Sequence, residues 1–221
     1  MDRTIRPVAY FTGLYLLVAT PFALRQQNTE FLFYIAIVIG LAIAVLLLHR
    51  RVHLSSGVLW ALSLWGLLHM LGGLLRLPES WPTDNNSGVL YSLWLVPGYL
   101  KYDNPVHAFG FAVATQVCWE CLRTVPGIRP TLGIVVLCAL AGMGLGSLNE
   151  VIEFAATLMI PGTNVGGFVN TGWDLVANML GASTTATLIW LRGRKSEGGG
   201  GISEVSSPTR QTASSNLKSK I

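Results

Sequence analysis

Glu150, Glu153, Asp174 and Asn178 fall within residues 144–182, a stretch otherwise dominated by apolar and small residues. A carboxylate at the centre of a bilayer costs about 2.5 to 3.5 kcal/mol even on a lenient insertion scale. Acids in such surroundings therefore need a partner or a task, and the partners elsewhere in the chain are His69, Asp103 and His107. Residues three or four apart share one face of a helix. Asp103 and His107 are so spaced, as are Glu150 and Glu153, and Asp174 and Asn178. Imidazole nitrogen with carboxylate oxygen suits Zn²⁺, Mn²⁺ or Fe²⁺, and the oxygens alone suit Mg²⁺ or Ca²⁺.

The elements that must position these groups are membrane helices. The chain has 221 residues, 51% hydrophobic and only 12% charged, and its apolar residues come in blocks rather than at amphipathic spacing. That pattern predicts an all-α polytopic bundle of six transmembrane helices: Val8 to Leu24, Phe31 to Leu48, Gly57 to Leu75, Val106 to Leu122, Leu132 to Glu153 and Trp173 to Leu191. Residues 1–192 form this domain, and 193–221, rich in Gly, Ser and Lys, are expected to be a disordered cytoplasmic tail. Arg3, Arg6, Arg50, Arg51, Arg123, Arg129, Arg192, Arg194 and Lys195 flank ends that alternating spans place on one side. By the positive-inside rule both termini are cytoplasmic. The net charge of +4 is then a topology signal, and no basic motif or Gly-rich phosphate loop points to nucleic acid.

With about 1.5 Å of rise per residue and a core of about 30 Å, four helices bring their polar groups to the outer leaflet. Glycines at 72, 73, 110, 142, 144, 146 and 181 would let those helices approach closely.

Plainer readings compete at several positions. Asp103 or Asn104 before Pro105 suits an N-cap, and Thr171 with Asp174 suits a capping box. His69 alone could be a hydrogen-bonded interior histidine. Cys118 and Cys121 form a C-x-x-C pattern, but near a cytoplasmic helix end, where thiols stay reduced. Residues 89–99 are apolar yet too short to span, which suggests a re-entrant or interfacial lid beside the site, or an anchor through Tyr91 and Trp94.

Five segments taken together resemble the YjdF-like family of bacterial inner-membrane proteins. They are His69-Met-Leu-Gly72-Gly73; Val89-Leu-Tyr91-Ser-Leu-Trp94; Tyr102-Asp103-Asn-Pro-Val-His107; Asn149-Glu150-Val-Ile-Glu153; and Trp173-Asp174-Leu-Val-Ala-Asn178-Met-Leu-Gly181. A looser likeness is to the VanZ-like proteins, associated with glycopeptide antibiotic resistance. The resemblance implies a multi-pass protein of the inner (plasma) membrane and adds Asn149 and Asn170 to the residues lining the site, alongside Asn178. It also leads one to expect an acid four residues before Asp174, where this chain has Asn170, which lowers the charge of the site.

Three functions fit this pattern. One is a metal-dependent enzyme acting on a membrane lipid or lipid-linked molecule. His69, His107, Glu150 and Asp174 would hold the ion, while Glu153 or Asp103 activates water or positions substrate. The others are a proton-coupled carrier using the same carboxylates and a non-catalytic lipid-binding or envelope-resistance factor.

Overall fold

The computed structural model describes residues 3–84 and 88–198. Six α-helices dominate: α1 (Ile5–Arg25), α2 (Thr29–Val52), α3 (Ser56–Leu74), α4 (Asp103–Leu122), α5 (Leu132–Met159) and α6 (Phe168–Gly198). Residues 193–198, expected in the tail, belong to α6, and residues 199–221 lie outside the described residues.

Four of these helices, α1, α2, α3 and α5, are long and apolar enough to cross a membrane. Helices α4 and α6 are less apolar because they carry the polar side chains of the interior, and they make the most extensive helix pair in the molecule. Apolar side chains such as Leu17, Leu158 and Phe168 are exposed on the outside. This is the inverse of a water-soluble surface and fits a lipid-facing one.

Three apolar clusters show how the helices alternate. The start of α1 (Ile5, Val8) packs with Leu54 and Leu59 at the α2–α3 connection and with Val117 of α4. The start of α5 (Val135, Ala139) packs with the end of α6 (Ala186, Ile189) and with Trp119. At the opposite end, Ala23 of α1, Phe31 and Tyr34 of α2, Leu74 of α3 and Ala156 of α5 form the third cluster. Antiparallel neighbours produce this arrangement, all joined by short connections except α3 and α4, which residues 75–102 link.

The basic end has its own polar clasp. Buried Glu120 of α4 accepts hydrogen bonds from the Ser55 backbone N–H and hydroxyl, both at 2.7 Å. It thus satisfies a donor at the start of α3 that the helix cannot satisfy itself. Cys118, Cys121 and Cys138 are free thiols.

The 89–99 stretch, expected as a re-entrant or interfacial lid or as an anchor, borders a cavity through Tyr91 and Ser92. It contributes a 3-10 turn (Leu90–Ser92) and strand β1 (Trp94–Val96), which pairs antiparallel with β2 (Leu100–Lys101). The hairpin turns at Pro97-Gly98, where Tyr99 N–H reaches Val96 O at 3.0 Å and Gly98 has φ +78°. That is the position of a type II turn that favours glycine. Tyr91 points inward instead of toward a membrane surface, because its hydroxyl meets His69.

Candidate metal centre

Helix α6 carries the ladder on which the site is built. Because α6 begins at Phe168, Asn170, Asp174 and Asn178 recur every four residues and share one face. This removes the capping-box reading, since Thr171 and Asp174 both lie inside the helix. On α4 the N-cap position falls to Tyr102, which makes no side-chain capping bond. Asp103 and Asn104 are therefore turned to other uses.

Each rung of the ladder meets α4 or β2. Asn178 Oδ1 lies 3.2 Å from His107 Nδ1. Asp174 Oδ1 accepts from Asn104 Nδ2 at 3.2 Å, and its Oδ2 accepts from Asn170 Nδ2 at 2.6 Å. The same Asn170 amide is 3.4 Å from Asp103 Oδ2, and its oxygen accepts from Lys101 Nζ. Asn170 thus donates toward two carboxylates and accepts from a lysine. An acid in its place would set a third negative charge against Asp103 and Asp174.

Helix α5 closes the centre from the other side. Glu150 Oε1 is 3.5 Å from His107 Nδ1, and Glu153 Oε1 is 3.9 Å from His107 Nε2, with Asp103 Oδ1 3.4 Å from the same Nε2. Asn149 Nδ2 donates to Glu153 Oε1 at 2.8 Å and holds that carboxylate in place. His107 is 5% exposed, Asp174 0% and Glu150 8%.

Glycines set the fit. A Cβ at Gly181 would run into the backbone carbonyl of Ala108, so α4 and α6 touch backbone to backbone there. At Gly146 an added Cβ would sit 2.7 Å from Asn178 Nδ2, so the absent side chain makes room for the ladder. Gly72, Gly73, Gly110 and Gly142 likewise accommodate Tyr91, Phe31, Trp65 and Thr115, whereas Gly144 faces open space. The expectation of close helix approach thus holds in its strict form at Gly181.

Two overlapping groups bring ligand atoms within 4.8 Å of one another: Asp103, His107 and Asp174, and His107, Glu150 and Glu153. They share His107, and a neutral imidazole has one lone pair, so they describe one centre. When the Nδ1 proton is donated to Asn178 Oδ1, Nε2 keeps its lone pair facing Asp103 and Glu153. A hydrogen bond of this kind from the other ring nitrogen fixes the tautomer of metal-binding histidines. In an octahedral ion with bonds of about 2.1 Å, adjacent ligands stand about 3.0 Å apart and opposite ones about 4.2 Å, so these groups would draw together on binding an ion.

His69, expected as a ligand, lies outside both groups but lines the adjoining cavity with Asp103 and Glu153. Its Nδ1 is paired with the Tyr91 hydroxyl, and its ring lies among Phe31, Tyr34 and Trp65. Burial pushes the Tyr91 hydroxyl well above its ordinary value, reinforced by Asp103 and Glu153, so it stays protonated beside that nitrogen. The centre is therefore richer in oxygen than the sequence suggests.

Both oxygens of Glu150 are buried without a hydrogen-bond partner. A buried carboxylate left this way is costly unless a cation or a proton balances it. The donor set and the orphaned oxygens together fit a divalent ion.

A cavity of about 310 Å³ adjoins the centre, reached through Asp103 and Glu153 and walled by Glu30, Tyr34, Tyr91 and Lys101. Lys101 Nζ also pairs with Asp84 at 3.4 Å. Glu30 Oε2 accepts from Asn164 N–H at 2.8 Å and from its side-chain amide at 3.1 Å, tying the α5–α6 loop to α2. Glu30, Tyr34, Asn104 and Lys101 were not singled out for the site from sequence. An acid in the first turn of the most apolar helix was the available signal for Glu30.

Residues 7–195 match a family described as "Predicted membrane protein (DUF2238)", and the chain belongs to that family. No curated protein and no solved structure matches it.

Proposed function

We propose that this family member is a multi-pass protein of the bacterial inner (plasma) membrane that holds one divalent cation among His107, Glu150 and Asp174, with Asp103 and Glu153 beside it. The centre serves hydrolysis or group transfer on a lipid or lipid-linked substrate that enters from the outer leaflet. The order of the motifs resembles that of the YjdF-like proteins, and the positive-inside pattern supports a reading with both termini in the cytoplasm.

The observation that carries this reading is Glu150. Its orphaned oxygens sit inside an apolar helix beside an imidazole and further carboxylates, an arrangement that a cation relieves. With one nitrogen and several oxygens, the donor set favours Mn²⁺ or Mg²⁺ over Zn²⁺. When bound, such an ion supplies Lewis acidity toward a phosphoryl or carbonyl oxygen and toward water.

The remaining roles belong to side chains. Glu153 lines the cavity while Asn149 restrains one of its oxygens, so it can take a proton from water at the cavity face. Asp103 shares that face and positions the substrate. Asn178 sets the His107 tautomer, and Asn170 with Asn104 holds Asp174.

Elemental analysis of the purified chain tests the reading. Wild type is expected to carry about one ion per chain, while Glu150→Gln and His107→Ala carry almost none. Metal-free wild type that binds no Mn²⁺ or Mg²⁺ on titration would overturn it. Proton-linked flux in liposomes without metal would favour the carrier alternative, and neither property would favour a lipid-binding factor.

A further inference from the structure

We infer that the cavity beside the metal centre receives a primary ammonium group, held between Glu30, Tyr34 and Glu153. The inference rests on the proposed function only for treating this cavity as the substrate's place. Tyr34 is 5% exposed, lines the cavity, and its hydroxyl is buried with no hydrogen-bond partner. Such a group is ordinarily satisfied, so an orphan on a cavity wall points to something the cavity binds.

Glu30 stands one helical turn before Tyr34 on the same face of α2. Both bonds from Asn164 fall on its Oε2, which leaves Oε1 to the cavity. Glu153 enters from α5, and both carboxylates act electrostatically on the Tyr34 hydroxyl. The rings of Phe31 and Tyr91 line the same space.

The cation on this wall, Lys101, is already engaged by Asp84 and Asn170. A guest is therefore asked to bring positive charge, and an anion is repelled. A primary ammonium has three N–H donors, matching the Tyr34 oxygen and the two carboxylates, and aromatic rings favour a cation beside them. A quaternary ammonium has no N–H and would leave Tyr34 unsatisfied. The shared chemistry is an aminoalkyl group, from the head group of an outer-leaflet lipid or from a free amine.

The test uses the full chain, loaded with Mn²⁺, in nanodiscs of phosphatidylglycerol, titrated calorimetrically with ethanolamine, choline and ethylene glycol. Ethanolamine is expected to bind about tenfold more tightly than choline, and ethylene glycol not measurably. Tyr34→Phe, which removes an oxygen that no described residue contacts, should weaken ethanolamine about tenfold and leave choline unchanged. Glu30→Gln should weaken both.

Replacing part of the lipid with phosphatidylethanolamine separates the sources. A weaker apparent affinity for ethanolamine assigns the ammonium to the lipid head group, and an unchanged one assigns it to a free amine. Choline or ethylene glycol binding as tightly as ethanolamine, or an unaltered Tyr34→Phe, overturns the inference. Metal content measured on the same samples keeps the two readings apart. Retained Mn²⁺ without ethanolamine binding sinks the ammonium site alone, whereas failure to load Mn²⁺ sinks the metal centre.

Discussion

Glu150 concentrates the conflict that defines the site, because its environment repels the charge its neighbours need. Substituting it should therefore change stability with opposite signs in two conditions. Without metal, Glu150→Gln is expected to stabilise the fold by about 1 to 3 kcal/mol, since it removes a buried carboxylate that otherwise needs a proton or a cation. With Mn²⁺ at about a hundred times its dissociation constant, wild type gains about 2.7 kcal/mol by mass action and the variant gains little. Thermal unfolding of both proteins with and without Mn²⁺ checks this, and a variant less stable in both conditions contradicts it. Tyr91 makes a second residue-scale prediction. Its folded-state value is raised above the unfolded value near 10. The stability of the protonated form is thus fully present below about pH 10 and is lost as pH rises further. Tyr91→Phe should cost about 1 kcal/mol at neutral pH and flatten the alkaline decline, as measured by unfolding from pH 7 to 11. The acids and His107 were legible in the sequence because such groups stand out in apolar blocks. His69 misled because spacing reveals helix faces but not which nitrogen a distant hydroxyl will occupy.

The pair of α4 and α6 sets the precision of the centre, and it depends on the missing side chain at Gly181. Gly181→Ala places a Cβ against the Ala108 carbonyl. Backbone cannot yield as a flexible side chain does, so a loss of about 1 to 3 kcal/mol is expected together with weaker Mn²⁺ binding. Gly144→Ala, in open space, should be neutral or slightly stabilising by helix propensity and should bind Mn²⁺ normally. Equal behaviour of the two variants in thermal unfolding would show that the close approach is not needed. Helix positions were legible from apolar blocks, while their starts were not. Helix α6 begins at Phe168, earlier than the Trp173 expected, because residues 168–172 continue the helix on which Asn170 must sit. The hairpin after α3 was also hidden, since its strands are only three and two residues long and periodicity needs a longer run.

At the scale of the molecule, the alternation of helices places the basic ends together and the acidic centre at the other end. With Cys118, Cys121 and Cys138 replaced, Gln27→Cys and Ser80→Cys should react with an impermeant thiol reagent added outside intact cells. His53→Cys and Gly127→Cys should react only after the membrane is opened. Labelling of all four from one side would contradict the six-span arrangement. Three helices, α4 to α6, supply every residue of the two candidate ligand groups, whereas α2 and the loops supply Glu30, Tyr34, Tyr91 and Asn164 around the cavity. This partition has an evolutionary consequence. Relatives could retune which guest they accept by altering α2 and the loops while the acids and histidine of α4 to α6 stay untouched, so divergence within the family should collect on one side of that seam.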